Sequence, residues 1–217
     1  MKISVVKNIL EANQRIAEEN RQQFSRNQLL VINLMSSPGA GKTSLLEKTI
    51  LGLKGKLRIG VVEGDIQSTY DAERIGQTGA PAVQINTGGA CHLDSNMVQE
   101  ALKNLDLPGL DLLFIENVGN LVCPAEFSLG EDFKAMILSV AEGDDKPLKY
   151  PLMFHESKVL LINKIDLLPF CDCNPDLIEE RARKINPSLV IFRVSCRTGE
   201  GLDRWTDWLK NQVKPRK

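Results

Sequence analysis

No stretch of this 217-residue chain is apolar over the ~20 residues a membrane span requires, and its amino end, residues 1–28, is polar and charged rather than leader-like. Neither sign of charge is in excess: 27 Lys and Arg stand against 28 Asp and Glu, a net charge of −1. That balance excludes a general attraction for nucleic acid or an anionic membrane, so neither is expected as a partner without a local patch. The five cysteines are odd in number and unevenly spaced, which is not a secreted disulfide framework. Internal repeats and low-complexity tracts are lacking too. What is present is an ordinary globular balance, 42% hydrophobic and 25% charged, in a chain long enough to bury roughly 70% of its extended surface. A cytoplasmic protein with reduced thiols is expected, some of those thiols serving as ligands.

Residues 3–24 place Val5, Ile9, Ala12, Ile16 and Ala17 at helical spacing, which predicts a long amino-terminal helix with a narrow apolar stripe. Residues 1–28 are read as that helix, packing on a domain of residues 29–217. Within the domain, Leu29–Met35 is a continuous apolar run of strand length, as in a strand buried on both faces. Similar runs follow at Leu57–Val62, Ala82–Ile85, Leu110–Ile115, Ala135–Val140, Val159–Ile162 and Leu189–Val194. Helix-like stretches fill most gaps, at 42–53, 68–77, 94–104, 175–185 and 201–213. The alternation predicts an α/β fold, a mainly parallel sheet of about seven strands with helices on both faces. Ligands in such sheets bind at the carboxyl ends of the strands.

The first strand runs into Ser36-Ser37-Pro38-Gly39-Ala40-Gly41-Lys42-Thr43, followed by the helical Ser44-Leu45-Leu46. This is a phosphate-binding loop of the pattern G-x-x-x-x-G-K-[ST], with Ser36 in place of the first glycine. Gly39 and Gly41 allow backbone N–H groups close to phosphate oxygens, at the positive end of the next helix. Lys42 is placed to reach the β- and γ-phosphates, and the Thr43 hydroxyl to ligate Mg²⁺.

Asn163-Lys164-Ile165-Asp166 follows the sixth strand, where an N-K-x-D segment suits guanine: Asp166 can accept from both N1–H and the 2-amino group. Adenine would leave that charge unpaired. Ser195-Cys196-Arg197 resembles the S-A-K element that buttresses guanine O6, with two substitutions. Two carboxylates are candidates for the metal, Asp65 in Glu63-Gly64-Asp65 and Glu116 in Glu116-Asn117-Val118-Gly119, whose Gly119 N–H would meet the γ-phosphate. Asp71 is a further candidate for the metal or the attacking water, or else a solvated carboxylate. Asn120 follows Gly119 where a water-positioning glutamine would help, so slow hydrolysis is expected.

Cys91, His92 and Cys123 are soft donors suited to Ni²⁺ or Zn²⁺. Cys91 and His92 would point in opposite directions on an extended chain, and one chain offers three ligands where a closed zinc site needs four. Pooling across a two-fold dimer is therefore the sharper expectation. Cys171 and Cys173 are read as solvent-side thiols with weak metal binding as the alternative, Cys196 as structural, and His155 as an ordinary loop histidine. Trp205 and Trp208 read as the core face of the last helix.

Together, Ser37–Thr43, Glu63–Asp65, Gly89-Ala90-Cys91-His92-Leu93-Asp94, Glu116–Pro124 and Glu142-Gly143-Asp144-Asp145-Lys146-Pro147 resemble the hydrogenase nickel-incorporation GTPases, HypB, of the SIMIBI class of P-loop GTPases. The resemblance runs from about residue 5 to the end. It implies a GTPase that binds GTP and GDP with Mg²⁺, dimerises with GTP, and assists nickel insertion into [NiFe] hydrogenase. The metallochaperone HypA and the hydrogenase large subunit are its implied partners, and Cys91, His92 and Cys123 its implied shared metal site. Neither an amino-terminal C-x-x-C-G-C nor a histidine-rich tract is present, so no separate nickel store is expected. The urease GTPase UreG is the nearest alternative, but its metal motif is Cys-Pro-His, whereas here Cys91 and His92 are adjacent. A zinc-stabilised module with a vestigial nucleotide site is the alternative from another class.

Overall fold

The computed structural model describes residues 2–65 and 70–213, with the side chains of 2–7 outside the description. Seven strands are β1 (Leu30–Ser36), β2 (Ile59–Asp65), β3 (Ala82–Asn86), β4 (Leu112–Glu116), β5 (Phe133–Ser139), β6 (Ser157–Asn163) and β7 (Val190–Arg193). The helices are α1 (Lys2–Arg26), α2 (Lys42–Leu53), α3 (Tyr70–Gln77), α4 (Ser95–Leu102), α5 (Cys123–Glu126), α6 (Lys146–Lys149), α7 (Pro151–Glu156), α8 (Pro175–Ile185) and α9 (Leu202–Val213). All strand pairs are parallel, in the order β3-β2-β4-β1-β5-β6-β7. The order reverses at β1, so the crevice for a ligand opens where β1 ends.

Strand periodicity sorts the core. Leu30, Ile32 and Leu34 of β1 pack with Leu45, Leu46 and Leu53 of α2 and Trp205 and Leu209 of α9. Val31 faces the other side, with Phe24 of α1 and Val98 and Leu102 of α4. Farther along that side Met136 and Leu138 of β5 meet Met153 and Phe154 of α7 and Ile178 of α8. Trp205 is buried and donates its indole N–H to the Thr49 hydroxyl (3.0 Å); Trp208 stacks on it, half-buried.

The structure departs from the sequence expectation in three places. The packed face of α1 is Asn13, Ala17, Asn20 and Phe24, whereas Ile9 of the expected stripe is 53% exposed and Val5 lies outside the described side chains. Hydrogen bonds turn the helix: Asn13 donates to the Ser128 carbonyl and accepts from Ser95 N–H, and Asn20 donates to the Ser95 and Leu129 carbonyls. Strand β2 runs on through Glu63-Gly64-Asp65, three residues past the apolar run, because β4 pairs with it as far as Glu63 and β3 as far as Asp65. Helices α5, α6 and α7 were not expected; each has a proline in its first turn and is too short to show a period. His155 therefore sits in the last turn of α7, not in a loop, beside Glu156. Residues 68 and 69 of the expected third helix lie outside the described residues.

Candidate nucleotide site and soft-metal cluster

After β1 the chain turns through Gly39 and Gly41, both left-handed (φ 74° and 104°), into α2. Ser36 is buried, and its hydroxyl accepts from the Lys42 ammonium at 3.1 Å. The residue that departs from the motif thus gives the lysine a partner inside the loop. Ser37 donates to Glu142, whose other oxygen accepts from Ser139 N–H (2.8 Å), so the Glu142 segment braces the phosphate loop. Pro38 lies against Gly119, where a Cβ would come within 3.0 Å of the Pro38 backbone; only glycine lets the β4 segment approach so closely.

The base-side residues fasten to the same loop. Lys164 donates to the Gly39 carbonyl (2.7 Å), and Asn163, 1% exposed, donates to the Ala40 carbonyl (2.9 Å) and accepts from Cys196 N–H (3.3 Å). Ser195 donates to Asp166 Oδ1 (2.6 Å), orienting the carboxylate. A cleft of about 320 Å³ opens between Gly41, Ser44, Lys48, Asn163, Asp166 and Arg197. Cys196 is buried below it, and burial pushes its thiol up to about 11.

The carboxylates separate into two groups. Glu116 is buried and its Oε1 accepts from the Thr43 hydroxyl (2.9 Å), while its Oε2 has no partner. Burial raises its carboxyl to about 7, against the opposing pull of Lys42 and the Thr43 hydrogen bond. Asp65 gathers instead with Glu63 and Asp71, one oxygen from each lying within 4.8 Å of the others. Glu63 is 2% exposed, its Oε2 is also without a partner, and burial followed by the charges of Glu116, Asp71 and Asp65 raises it to about 8. Arg74 binds Asp71 (3.2 Å), Glu47 and the Ser44 hydroxyl (3.3 Å), tying α3 to α2.

Cys91, His92 and Cys123 come together within one chain, their ligand atoms all within 4.8 Å. Cys91 Sγ lies 3.0 Å from Cys123 Sγ and 3.5 Å from His92 Nδ1. The opposition expected of neighbouring residues fails because the segment is bent, not extended: Gly88 and Gly89 are left-handed (φ 60° and 99°) and the chain curls through Cys91 and His92. The His92 ring packs on Phe127 (centroids 3.9 Å apart), and burial lowers its basicity, favouring the neutral ring that ligates metal. Cys91 is exposed and the other two are half-buried, so a fourth ligand can approach from outside. Cys171 and Cys173, expected to face solvent, are half-buried against the α7–α8 core, and among the described residues they join no group of three ligands.

The two sites touch through Leu93. Its N–H donates to Asn117 Oδ1 (3.0 Å), and Asn117, fully buried directly after Glu116, also accepts from Val118 N–H (3.0 Å) and donates to Asn33 (3.2 Å). The Leu93 side chain covers Gly64, where a Cβ would meet it at 2.7 Å. Thr87 N–H donates to the Asp65 carbonyl (2.9 Å), hanging the start of the metal loop from the end of β2. Neither Asn117, Glu142 nor Glu63 stood out in the sequence, although all three lie inside the strings that carried the resemblance.

Over residues 9–193 the chain matches the family model described as the CobW/HypB/UreG nucleotide-binding domain. It is 50% identical over 204 residues to the hydrogenase maturation factor HypB of Escherichia coli K12, covering 94% of this chain and 70% of that protein. The probable hydrogenase maturation factor HypB of Methanocaldococcus jannaschii is 40% identical over 212 residues, 98% of this chain and 96% of that one. The crystal structure of HypB from Helicobacter pylori in complex with nickel superposes with a TM-score of 0.90 at 38% identity, over 94% of this chain and 96% of that one.

Proposed function

Because the chain belongs to the HypB hydrogenase maturation factors, within the CobW/HypB/UreG family of P-loop GTPases, we propose that it binds and hydrolyses GTP as a dimer and delivers nickel toward [NiFe] hydrogenase. Asp166, steadied by Ser195, selects guanine, and Asn163, Lys164 and the Cys196 N–H hold the base loop against the phosphate loop. Backbone N–H groups from Gly39 to Ser44 receive the phosphates, with Pro38 shaping the turn before them, and Lys42 leaves Ser36 to reach the β- and γ-oxygens. Gly119 carries an N–H to the γ-phosphate. The orphaned Glu116 Oε2 beside the Thr43 hydroxyl fits a hard cation, and Thr43, Glu116 and Asp65 would hold Mg²⁺, which when bound neutralises phosphate charge.

Hydrolysis by the isolated protein is slow on this reading. Asn120 turns its Oδ1 to the Val122 N–H (2.8 Å), and Arg74 is held by Glu47 and Asp71. Cys91, His92 and Cys123 hold the Ni²⁺ cargo, or Zn²⁺, with remaining coordination from the second copy or from HypA. The hydrogenase large subunit is the recipient, and delivery takes place in the cytoplasm. Among the described residues no helix is long and apolar enough to cross a membrane.

The observation that supports coupling is Leu93, one residue past His92, clasped between Gly64 of β2 and the Asn117 amide after β4. Loss of the γ-phosphate frees the Gly119 segment, and Asn117 passes that movement to the metal loop. GTP turnover tests the enzymatic part: purified protein hydrolyses GTP slowly and ATP not at all, and Lys42→Ala abolishes it. Equal turnover of ATP would contradict the base assignment.

A further inference from the structure

We propose that Glu63, Asp65 and Asp71 form a second hard-cation site that takes a divalent ion such as Mg²⁺ or Mn²⁺ in the absence of nucleotide, sharing Asp65 with the site at Thr43 and Glu116. Strand periodicity builds half of it. Residues 59, 61, 63 and 65 alternate onto one face of β2, and Ile59 and Val61 of that set pack into the core beneath α2. Glu63 and Asp65 therefore continue an apolar row into the carboxyl end of the sheet, on the side where α3 brings Asp71 in its first turn.

One oxygen from each of the three carboxylates lies within 4.8 Å of the others. Ligand distances of about 2.0–2.6 Å let one ion span nearly that separation, and small side-chain rotations close the rest. Arg74 meets Asp71 but divides its guanidinium with Glu47, so the cluster keeps an excess of negative charge.

The independent sign of a ligand is Glu63 itself. The residue is 2% exposed, and its Oε2 has no hydrogen-bond partner. A buried carboxylate oxygen left unpaired is costly, and a bound cation is one of the few things that satisfies it. A structural role would be served by an isoleucine or valine here, as at Ile59 and Val61 on the same face of β2. The donors are all oxygen, which suits Mg²⁺, Mn²⁺ or Ca²⁺ and separates this site from the sulfur and imidazole of the nickel cluster. A cation held here ties α3 to β2, and through Asp65 it reaches the carbonyl from which the metal loop hangs.

The site does not depend on GTP binding, so its test stands apart from the GTPase reading. Mn²⁺ is titrated into nucleotide-free, full-length protein, and the free-ion signal is followed by electron paramagnetic resonance. The wild type should bind one Mn²⁺ per chain, and Cys91→Ser/Cys123→Ser should bind it equally. Glu63→Gln and Asp71→Asn should each weaken binding about tenfold or more, since each removes a charged ligand. Circular dichroism without cation checks that each variant folds, and Asp71→Asn, at a half-buried helix position, carries the test if Glu63→Gln does not. No Mn²⁺ binding by the wild type at millimolar concentration would overturn the proposal, as would unchanged affinity in a folded variant.

Discussion

Replacing Asn117 with alanine should break the link between the two sites without touching either. The amide accepts from the N–H groups of Leu93 and Val118, each at 3.0 Å, and donates to Asn33 at 3.2 Å. Both N–H groups belong to buried residues, so alanine strands two backbone donors at about 1–3 kcal/mol each, roughly 2–6 kcal/mol together. Against an ordinary margin of about 5–15 kcal/mol the variant still folds. Its Tm should fall by about 5–20 °C for a chain of this size. The decisive readout is different. Nickel affinity is measured by chelator competition with GDP and with a non-hydrolysable GTP analogue, and the ratio is compared with the wild type. In Asn117→Ala that ratio should collapse toward one, while GTP affinity stays within a few-fold. A folded variant with a lowered Tm and an undiminished ratio would refute Asn117 as the connector and leave the Thr87–Asp65 contact as the remaining route.

Asp166→Asn should weaken GTP binding and improve xanthosine triphosphate, because an amide can donate to the 2-oxo group where a carboxylate only accepts; competition between the two nucleotides checks it. Stability without divalent cation or nucleotide should fall as pH rises from about 4.5 to about 8 and level off above that. The native state holds protons on Glu116 up to about 7 and on Glu63 up to about 8, whereas the unfolded chain releases both near 4.5. The stability these protons confer is complete below 4.5 and is lost as pH passes the native values. Urea midpoints across that range should show the decline, and Glu63→Gln should flatten it; a midpoint that rises with pH would contradict the assignment.

The sheet was legible because its inner strands, buried on both faces, leave apolar runs, and the half-buried edge strands β3 and β7 kept short ones, so each of the seven found its strand. Polar strand ends leave no such mark: motif reading placed Glu63-Gly64-Asp65 at the end of the second strand and picked out Asp65 and Asp71 as metal candidates, but not Glu63, whose burial beside them only the fold shows. The amino-terminal helix was legible as a helix, but its stripe packs only in part: Ala17 is buried, Ala12 and Ile16 are half-buried and Ile9 is exposed. Its orientation is set by Asn13 and Asn20, whose hydrogen bonds to Ser95, Ser128 and Leu129 outweigh the apolar stripe. The loop residues of the candidate site carry motif spacing, which survives without knowledge of conformation. Cys91 and His92 show the limit of geometric inference from sequence: alternation holds for an extended chain, and two left-handed glycines just upstream remove that condition. Asn117 was hidden for another reason, since nothing in a sequence marks which buried amide bridges two loops.

The proposed function turns on a linkage between nucleotide state and metal affinity. It is tested most directly by measuring Ni²⁺ affinity of the wild type with GDP and with a non-hydrolysable GTP analogue, alongside Cys123→Ser. A coupling of about 1–3 kcal/mol predicts affinities that differ roughly 5–150-fold between the two nucleotides, and the nucleotides must change metal binding by the factor by which metal changes theirs. Cys123→Ser should lose both the nickel and the difference while keeping GTP. Identical nickel affinities in the two nucleotide states would rule out the linkage, even with both sites occupied.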